Sequence, residues 1–491
     1  MTSPFDEARY RVLLEGLEIT VLPYSEINMG DRSDPEFYSR ENIRIEKALR
    51  DHNAKPLNDY CELKASAFYP AATHLYEQGE VPFVRCVDCI DYPLISKLQE
   101  NDFERIPRSF IAENNSVQLI HKSEIVLTKV GTPCYASIVQ DYDELALSRT
   151  VLGLVNIQGI NPYYLMAFLR SHYGFSQLMR HREQTIQYQL TLDRVRAVQV
   201  YSGSEKLQKA VETIVLEYFS RLQEIQMRNR YAEQTLLHAL GLENWQPPEN
   251  LTYERKSADV FATGRLDAEH FQPKYDELYR QIKKTGIETR RLEEIILPVM
   301  NGFDCRDFVE SGTPYIRVGD IKKGRIEIES AFQIPLTSDK IGKDISLHTG
   351  DVLFTRKGSF GNAAPVWDEA KHAVISSEIM LLRFSPEHKN AVLPEYLALF
   401  LNSMAGNIQA EKWAHGGAFY SIMQDDLGQF VIPLIPKPEQ EALRDLIVKS
   451  EAARKQARFL LDAAKCAVEI AIEENEDAAM AFLNKSQRVS L

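Results

Sequence analysis

The 491-residue sequence has few cysteines, no long apolar run, no excess of positive charge and no recognisable catalytic signature. Six cysteines are too few to staple a chain of this length, which excludes a disulfide scaffold and fits a reducing cytoplasm. No stretch approaches the ~18 consecutive apolar residues of a membrane-spanning helix, so no membrane partner is expected. The start, MTSPFDEARYRVLLEG, carries charges where a secretion signal needs an apolar segment, so a cytoplasmic location is expected. A net charge of −13 argues against binding nucleic acid by bulk charge. It leaves room for a basic groove on an acidic body, or for charge shared across a complex. There is no GxSxG elbow, no HExxH helix and no glycine-rich cofactor loop after an early strand. What remains is an ordinary globular composition, 44% hydrophobic and 26% charged, with length for roughly two to four domains.

What the sequence does contain is a duplication. Thr313 to Val366 reads TPYIRVGDIKKGRIEIES, a spacer, then LHTGDVLFTRKGSFGNAAPV. A strand with Arg317 and Asp320 leads to a second strand that ends in a basic, glycine-containing turn. The same order occurs earlier, as VPFVRCVDCIDYPLIS (Val81 to Ser96) and IHKSEIVLTKVGTPCYASIV (Ile120 to Val139). Other landmarks recur in step. RSDPEFYSRENIRIEKALRDHN from Arg32 matches RLDAEHFQPKYDELYRQIKKTG from Arg265, and each predicts a helix capped by its Asp. NPYYLMAFLRSHYG from Asn161 matches LPEYLALFLNSMAG from Leu393, with proline in the first helical turn. Arg32 to Arg265 is 233 positions, and Arg85 to Arg317 and Pro162 to Pro394 are 232 each. Lys129 to Arg356 is 227, so loop lengths differ inside the unit. Before the first unit, GLEITVLPYSEI predicts a short strand.

Each unit is followed by a long helical stretch with apolar or small residues in alternating steps of four and three. The first carries Val211, Val215, Tyr218, Leu222, Ile225, Asn229, Ala232, Leu236 and Ala239. The second carries Leu443, Leu446, Ser450, Ala453, Ala457, Leu460, Ala464, Ala467 and Ala471. A sustained 3.5-residue repeat predicts a coiled-coil seam, with Asn229 fixing its register. The alternative is that each helix packs only on its own domain. Trp245 to Asp259 is polar and proline-containing and predicts a linker, and the acidic end predicts a frayed helix and tail.

Three stretches invite a catalytic reading. Cys86-x-x-Cys89 has the spacing of a metal or redox site, but Val318 and Ile321 take its place in the second unit, so buried apolar cysteines are expected. Asn161-Pro-Tyr-Tyr164 approaches the Asn-Pro-Pro-aromatic motif of amino-methyltransferases, yet LPEY in the second unit marks a helix start. Asp59 with Glu62-Leu-Lys64 loosely fits a nuclease pattern that the second unit does not keep. No catalytic constellation occurs in both units.

DNA contact has better support. Lys129 and Gly131, and Arg356, Lys357, Gly358, Ser359, Gly361 and Asn362, lie on a turn directly after a strand. Glycine lets backbone approach a phosphate, Lys and Arg supply charge, and Arg, Lys, Ser and Asn can read base edges. Arg85 and Arg317 hold equal places, suited either to phosphate positioning or to an ion pair with Asp88 and Asp320. A second candidate surface precedes the last strand, as RHREQTIQYQLT (Arg180 to Thr191) and KWAHGGAFYSIM (Lys412 to Met423). Tyr188 and Tyr420 match, but the middles, with Gln187 and His415, differ. Divergent side chains on one scaffold suit two modules that read different sequences. An unconstrained loop looks the same.

This arrangement resembles the DNA-specificity subunit of type I restriction–modification systems. The residues that carry it are Arg265-Leu-Asp-Ala-Glu-His-Phe, Thr313-Pro-Tyr-Ile-Arg-Val-Gly-Asp-Ile, Gly350-Asp-Val-Leu-Phe-Thr-Arg-Lys-Gly-Ser-Phe-Gly, Leu393-Pro-Glu-Tyr-Leu, and Ile432-Pro-Leu with Glu439-Gln. The second unit matches closely and the first loosely, with Val130-Gly-Thr-Pro-Cys in its turn. The resemblance implies an α/β (α+β) fold of two tandem target-recognition domains, each followed by a long α-helix, the two helices forming an antiparallel coiled coil. It implies domains at 1–202 and 261–436, helices at 203–241 and 437–475, a linker at 242–260 and a tail at 476–491. Each domain would read one half of a split double-stranded DNA site. The chain would have no catalytic activity alone and bind no cofactor directly. S-adenosylmethionine would sit on partner methyltransferase subunits, two of them, and a separate motor subunit would cut DNA. Candidate DNA-binding residues are Arg85, Lys129, Gln187, Tyr188, Arg317, Arg356, Lys357, Ser359, Asn362, His415 and Tyr420. The seam would use Val215, Leu222, Ile225, Asn229, Leu446, Ala457 and Leu460. A DNA-reading adaptor of another defence or modification complex, a coiled-coil interaction scaffold and a stand-alone enzyme are the rival readings.

Overall fold

The computed structural model describes residues 20–23, 27, 34–67, 79–90, 92–98, 103–183, 188–335, 345–358, 360–416 and 420–490. The predicted lead strand falls largely outside them, as does Arg32. The described residues form two compact units, divided at Glu224/Ile225 and Ala452/Ala453, inside the two long helices. Unit 1 holds the described residues up to Glu224 and those from Ala453, and unit 2 the residues between.

Both units are mixed α/β and share one strand plan. In unit 1, a five-stranded sheet runs in the order Glu62–Ala65, Val151–Val155, Ile125–Thr128, Ala136–Val139, Leu94–Ile95. A four-stranded sheet runs Glu104–Ile106, Val81–Val84, Glu144–Leu147, Leu119–His121. Unit 2 has Met300–Asn301, Ile379–Leu382, Val352–Thr355, Ala363–Pro365, and then Phe332–Ile334, Thr313–Ile316, Val374–Ile375. One parallel pairing matches as well, Phe83 opposite Ala146 and Tyr315 opposite Val374, whereas the parallel pairing of Leu94–Ile95 with Ala136–Val139 occurs in unit 1 alone among the described residues.

The central strands read IVLT, VLGLV, VLFT and IMLL, without the polar alternation of a half-exposed strand. Both of their faces are buried, which removes the need for polar residues. Ile125 and Leu127 belong to the core under the helices, whereas Val126 joins a second core with Val84 and Leu147 of the neighbouring sheet. Val352 and Phe354 divide from Leu353 in the same way.

Two short helices follow each sheet: Pro162–Arg170 with His172–Arg180, and Pro394–Asn402 with Met404–Trp413. Asn161-Pro-Tyr-Tyr is a helix start, with the Asn161 side chain accepting from the Tyr163 and Tyr164 N–H groups. The break falls at Ser171 and Ser403, whose hydroxyls accept from the Gly174 and Gly406 N–H groups. A Cβ on Gly174 would lie 2.2 Å from the Phe168 carbonyl oxygen, and one on Gly406 2.3 Å from that of Leu401. Only glycine fits this tight corner in either unit.

The long helices are Glu205–Ala239 and Lys437–Glu473, and each gives one part to each unit. In unit 1, Val211, Val215 and Tyr218 are buried in the same core as Ala457, Leu460, Ala464 and Ala467. The N–H of Ser204, before the first helix, donates to Glu476, after the second, at 2.7 Å. The start of one helix therefore meets the end of the other, in the antiparallel sense. In unit 2, Ile225 is buried, Ala232 and Leu236 share a core with Leu443, and the Ser450 hydroxyl donates to Asn229 at 2.8 Å. Leu222, in unit 1, and Leu446, in unit 2, are half-buried, each against the core of its own unit. Val211, Val215, Tyr218, Ile225, Ala232 and Leu236 of the predicted seam are buried, whereas Leu222 and Ala239 are half-buried and Asn229 is exposed, held at the edge by Ser450; alanine on the second helix lets the two approach closely.

Some expectations change. Asp267 stands before a short 3-10 turn, Ala268–Phe271, but its side chain makes no capping hydrogen bond: the Arg265 guanidinium holds it instead, and the helix Pro273–Lys284 starts after Gln272. In unit 1, Asp34 closes a turn by accepting from the Phe37 N–H at 3.1 Å, and Ser39 caps the helix Arg40–Asp51. The acidic end forms a helix, Glu476–Ser490, with Ala479 and Leu483 in the unit 1 core. Glu476 docks it by accepting from Ser204 and the Tyr201 hydroxyl, so it is not a frayed tail. Within the predicted linker, Leu242 is buried in the unit 2 core and a short helix begins at Ser257. None of the described helices is long and apolar enough to cross a membrane.

Candidate nucleic-acid interface

The basic turn is built identically in both units. In unit 1, the strand Ile125–Thr128 enters a turn that is closed on Thr128. The Thr128 carbonyl accepts from Cys134 at 3.0 Å, and its hydroxyl accepts from the Tyr135 N–H at 2.8 Å. In unit 2, the Thr355 carbonyl accepts from Gly361 at 2.9 Å, and its hydroxyl from the Asn362 N–H at 3.0 Å. Gly131 and Gly358 both take positive φ, at 89° and 75°. Gly361 has φ 88°, and its counterpart Cys134 accepts the strained value of 82°. The differing Val-Gly-Thr-Pro-Cys sequence thus keeps the turn of Lys-Gly-Ser-Phe-Gly.

Each turn is tied to the divergent loop before the last strand. Leu190 donates to the Lys129 carbonyl at 2.9 Å, and Ile422 to the Arg356 carbonyl at 3.0 Å. Val130 bridges to Gln189 and Lys357 to Ser421. The loops close on themselves in the same register, Glu183 with Gln189 and His415 with Ser421. On the other side, Lys129 donates to Thr150 and Arg356 to Glu378. The two surfaces that the sequence offers separately are therefore one surface in each unit. Gln187 and Ser359 lie outside the described residues.

Side chains on this shared frame differ. In unit 2, Tyr420 is 49% exposed and leans on Phe360, with ring centroids 5.8 Å apart. Lys357 is exposed, with Glu378 a loose 3.7 Å away. Arg356 is half-buried, and its Nε is enclosed with no hydrogen-bond partner among the described residues. A buried donor left unpaired is costly, and such groups call for a partner. In unit 1, Lys129 is half-buried, and burial, aided by the Arg149 charge, lowers its pKa. Arg182 lies over the Tyr188 ring at 4.2 Å and pairs with Glu36 at 2.6 Å.

Other predicted residues are placed in structural contacts. The Asn362 side chain donates to the Ile321 carbonyl at 3.3 Å. His415 sits between Asp426, at 2.7 Å, and Arg265, at 3.3 Å, and Arg265 also binds the Ala414 carbonyl. Arg180 is held by Glu46 at 3.0 Å and stacks on Phe37 at 3.9 Å. Arg85 and Arg317 each donate their backbone N–H to the buried Asp88 or Asp320. Desolvation raises the pKa of Asp320 against the pull of that N–H and the arginine charge. Cys86 and Cys89 are both buried, and the Cys86 thiol donates to the Thr132 carbonyl at 3.2 Å, holding the basic turn. Burial pushes both thiols above their ordinary pKa.

Arg149, Arg182 and Phe360 were not among the residues expected at this surface. Arg182 and Phe360 lie within the two singled-out stretches. Arg149 has no counterpart charge, since Ser377 holds its place, and comparing the units could not find it.

No protein-family model matches the chain, and no curated protein matches it. Among solved structures, it is similar to a type I restriction–modification S subunit from M. genitalium, at 11% identity and a TM-score of 0.38, over 85% of this chain and 94% of that one. It is similar to the HsdS subunit from Thermoanaerobacter tengcongensis at 16% identity and a TM-score of 0.26, over 89% and 96%. A shorter likeness, 9% identical with a TM-score of 0.29, covers 35% of this chain and 28% of the type IIG restriction endonuclease BpuSI.

Proposed function

We propose that this chain is the DNA-specificity subunit of a type I restriction–modification complex and reads a two-part site in double-stranded DNA. The observation that carries the reading is the repeated closure of the basic turn onto a divergent loop. The frame, from Leu190–Lys129 to Ile422–Arg356, stays constant while the exposed side chains change. A protein that must read two different half-sites needs that division between frame and reader. The motifs around Arg265, Thr313 and Gly350 support the same family. The negative total charge is compatible, because association needs local cations and not a basic body.

In this reading, the chain performs no chemistry alone. Partner methyltransferase subunits, two per chain, bring S-adenosylmethionine, and the seam of the long helices spaces the two readers. A motor subunit joins when the complex cuts. Residues 1–202 and 261–436 serve as the two target-recognition domains.

The test is a gel shift of the assembled complex at fixed salt, with Arg356→Ala and Lys357→Ala combined. Loss of one base contact and one phosphate contact predicts about 10- to 100-fold weaker binding. Unchanged affinity would remove this turn from the interface.

A further inference from the structure

Arg85 and Arg317 occupy one position of the shared frame, yet their surroundings are opposite. In unit 1, Arg85 is enclosed by carboxylates. Its Nε lies 3.3 Å from Asp88, Nη2 3.4 Å from the other Asp88 oxygen, and Nη1 3.4 Å from Glu104. In unit 2, the cross-strand neighbour is not a glutamate. Phe332 lies opposite Tyr315 where Glu104 lies opposite Phe83. Arg317 stacks on the Phe332 ring at 3.8 Å, and Phe332 stacks on Phe308 with centroids 4.4 Å apart. Asp320 comes no nearer to the Arg317 guanidinium than 3.7 Å, at Nε, and among the described residues neither Nη of Arg317 makes a hydrogen bond.

The ledge is open. Phe332 and Phe308 are 40% and 43% exposed, and the Arg317 side chain 45%. Single exposed apolar side chains are common, but two stacked aromatics side by side at the surface form a contiguous patch of the kind that binds a partner. The ledge also adjoins the basic turn. Val318 lies 3.5 Å from where a Gly358 Cβ would stand, and Asn362 binds Ile321 at the start of the next hairpin. That hairpin, Ile321-Lys-Lys-Gly-Arg-Ile, brings the exposed Lys323, where the first unit has Ile90-Asp-Tyr-Pro after its Cys89.

We propose that Arg317, laid over the Phe332 ring that Phe308 backs, and Lys323 form a second duplex-DNA contact that only unit 2 possesses. Stacking fixes the guanidinium plane, so little side-chain entropy is lost when its free edge meets a phosphate or a base. Unit 2 then holds DNA more firmly and over a wider footprint than unit 1, in which Glu104 cancels the equivalent arginine. This rests on the DNA-reading function proposed above and assigns an unequal share of it to the two units.

The test uses the assembled complex, purified from cells, and a duplex carrying the motif that the wild-type complex methylates. Phe332→Glu installs the unit 1 residue. Affinity should fall roughly 5- to 20-fold, and the slope of log K against log salt should become shallower by about 1. Phe332→Tyr keeps the stack and should stay within about 2-fold of wild type. A melting temperature unchanged in both variants assigns the effect to the ledge. If Phe332→Glu binds DNA as wild type with an unchanged salt slope, while the Arg356/Lys357 variant is weakened, the ledge is not a DNA contact and the turn still is. If Phe332→Glu instead releases a protein subunit from the complex, the ledge docks protein and the proposal is overturned. Wild-type binding by the Arg356/Lys357 variant would remove the turn from the interface, and failure of the wild-type complex itself to bind DNA would sink the underlying reading.

Discussion

Unit 1 and unit 2 hold the same frame with different residues. Phe37 and His181 form an edge-to-face pair in unit 1, and His270 and Trp413 form one at the same place in unit 2. Tyr164 donates to the Tyr201 carbonyl, and Tyr396 to that of Pro433. Cys134 and Gly361 turn the chain with positive φ. In the interior, one side chain replaces another while the contact persists. On the surface the contact itself changes, as Arg85 and Arg317 show. Packing preserves geometry, because a core tolerates exchange only at constant shape. An exposed surface has no such constraint.

The largest effect should come from breaking what both units share. Leu460 is fully buried in unit 1, among Val211, Val215 and Tyr218. Leu460→Glu places a carboxylate there without a partner and should cost about 4 kcal/mol or more. Urea denaturation measures the loss, and hydrogen exchange locates it. Protection should fall first over 205–224 and 453–473. Unchanged protection there would contradict the seam.

A smaller effect should separate the units. His270 is buried in unit 2, where unit 1 has Phe37. Burial, with the Arg265 and Lys412 charges, holds its pKa below the ordinary 6.5, while its hydrogen bond to the Lys412 carbonyl and Asp267 pull the other way. The unfolded chain then binds the proton more readily. Stability contributed by neutral His270 is present above about pH 6.5 and is lost as pH falls through the lowered value. His270→Phe should flatten the pH dependence of the unit 2 melt in that range, with a change of no more than about 1.5 kcal/mol near neutrality from the lost hydrogen bond. An equally pH-dependent melt in the variant would show that another group titrates.

Much of the frame was legible in the sequence because it is periodic or local. The seam shows in steps of four and three, and the duplication in near-constant spacing. The Arg85–Asp88 and Arg317–Asp320 contacts span three residues and were open to inspection. What escaped is long-range. Nothing local joins Val130 to Gln189, since the pairing depends on how two helices return the chain to the turn. Glu104 and Phe332 become neighbours of the arginines only through strand pairing. Asn362 has the right chemistry for a base contact, but its amide serves Ile321. His415 is likewise engaged by Asp426 and Arg265.

The central claim is that one frame carries two independent readers. It is tested most directly by replacing Glu183 to Gln189 with a different loop, leaving Arg180 and Arg182 in place, and sequencing the modified bases in cells that carry the variant. The account predicts a methylated motif altered in one half and intact in the other. An unaltered motif would show that the loop reads nothing, and changes in both halves would show that the two units do not read separately.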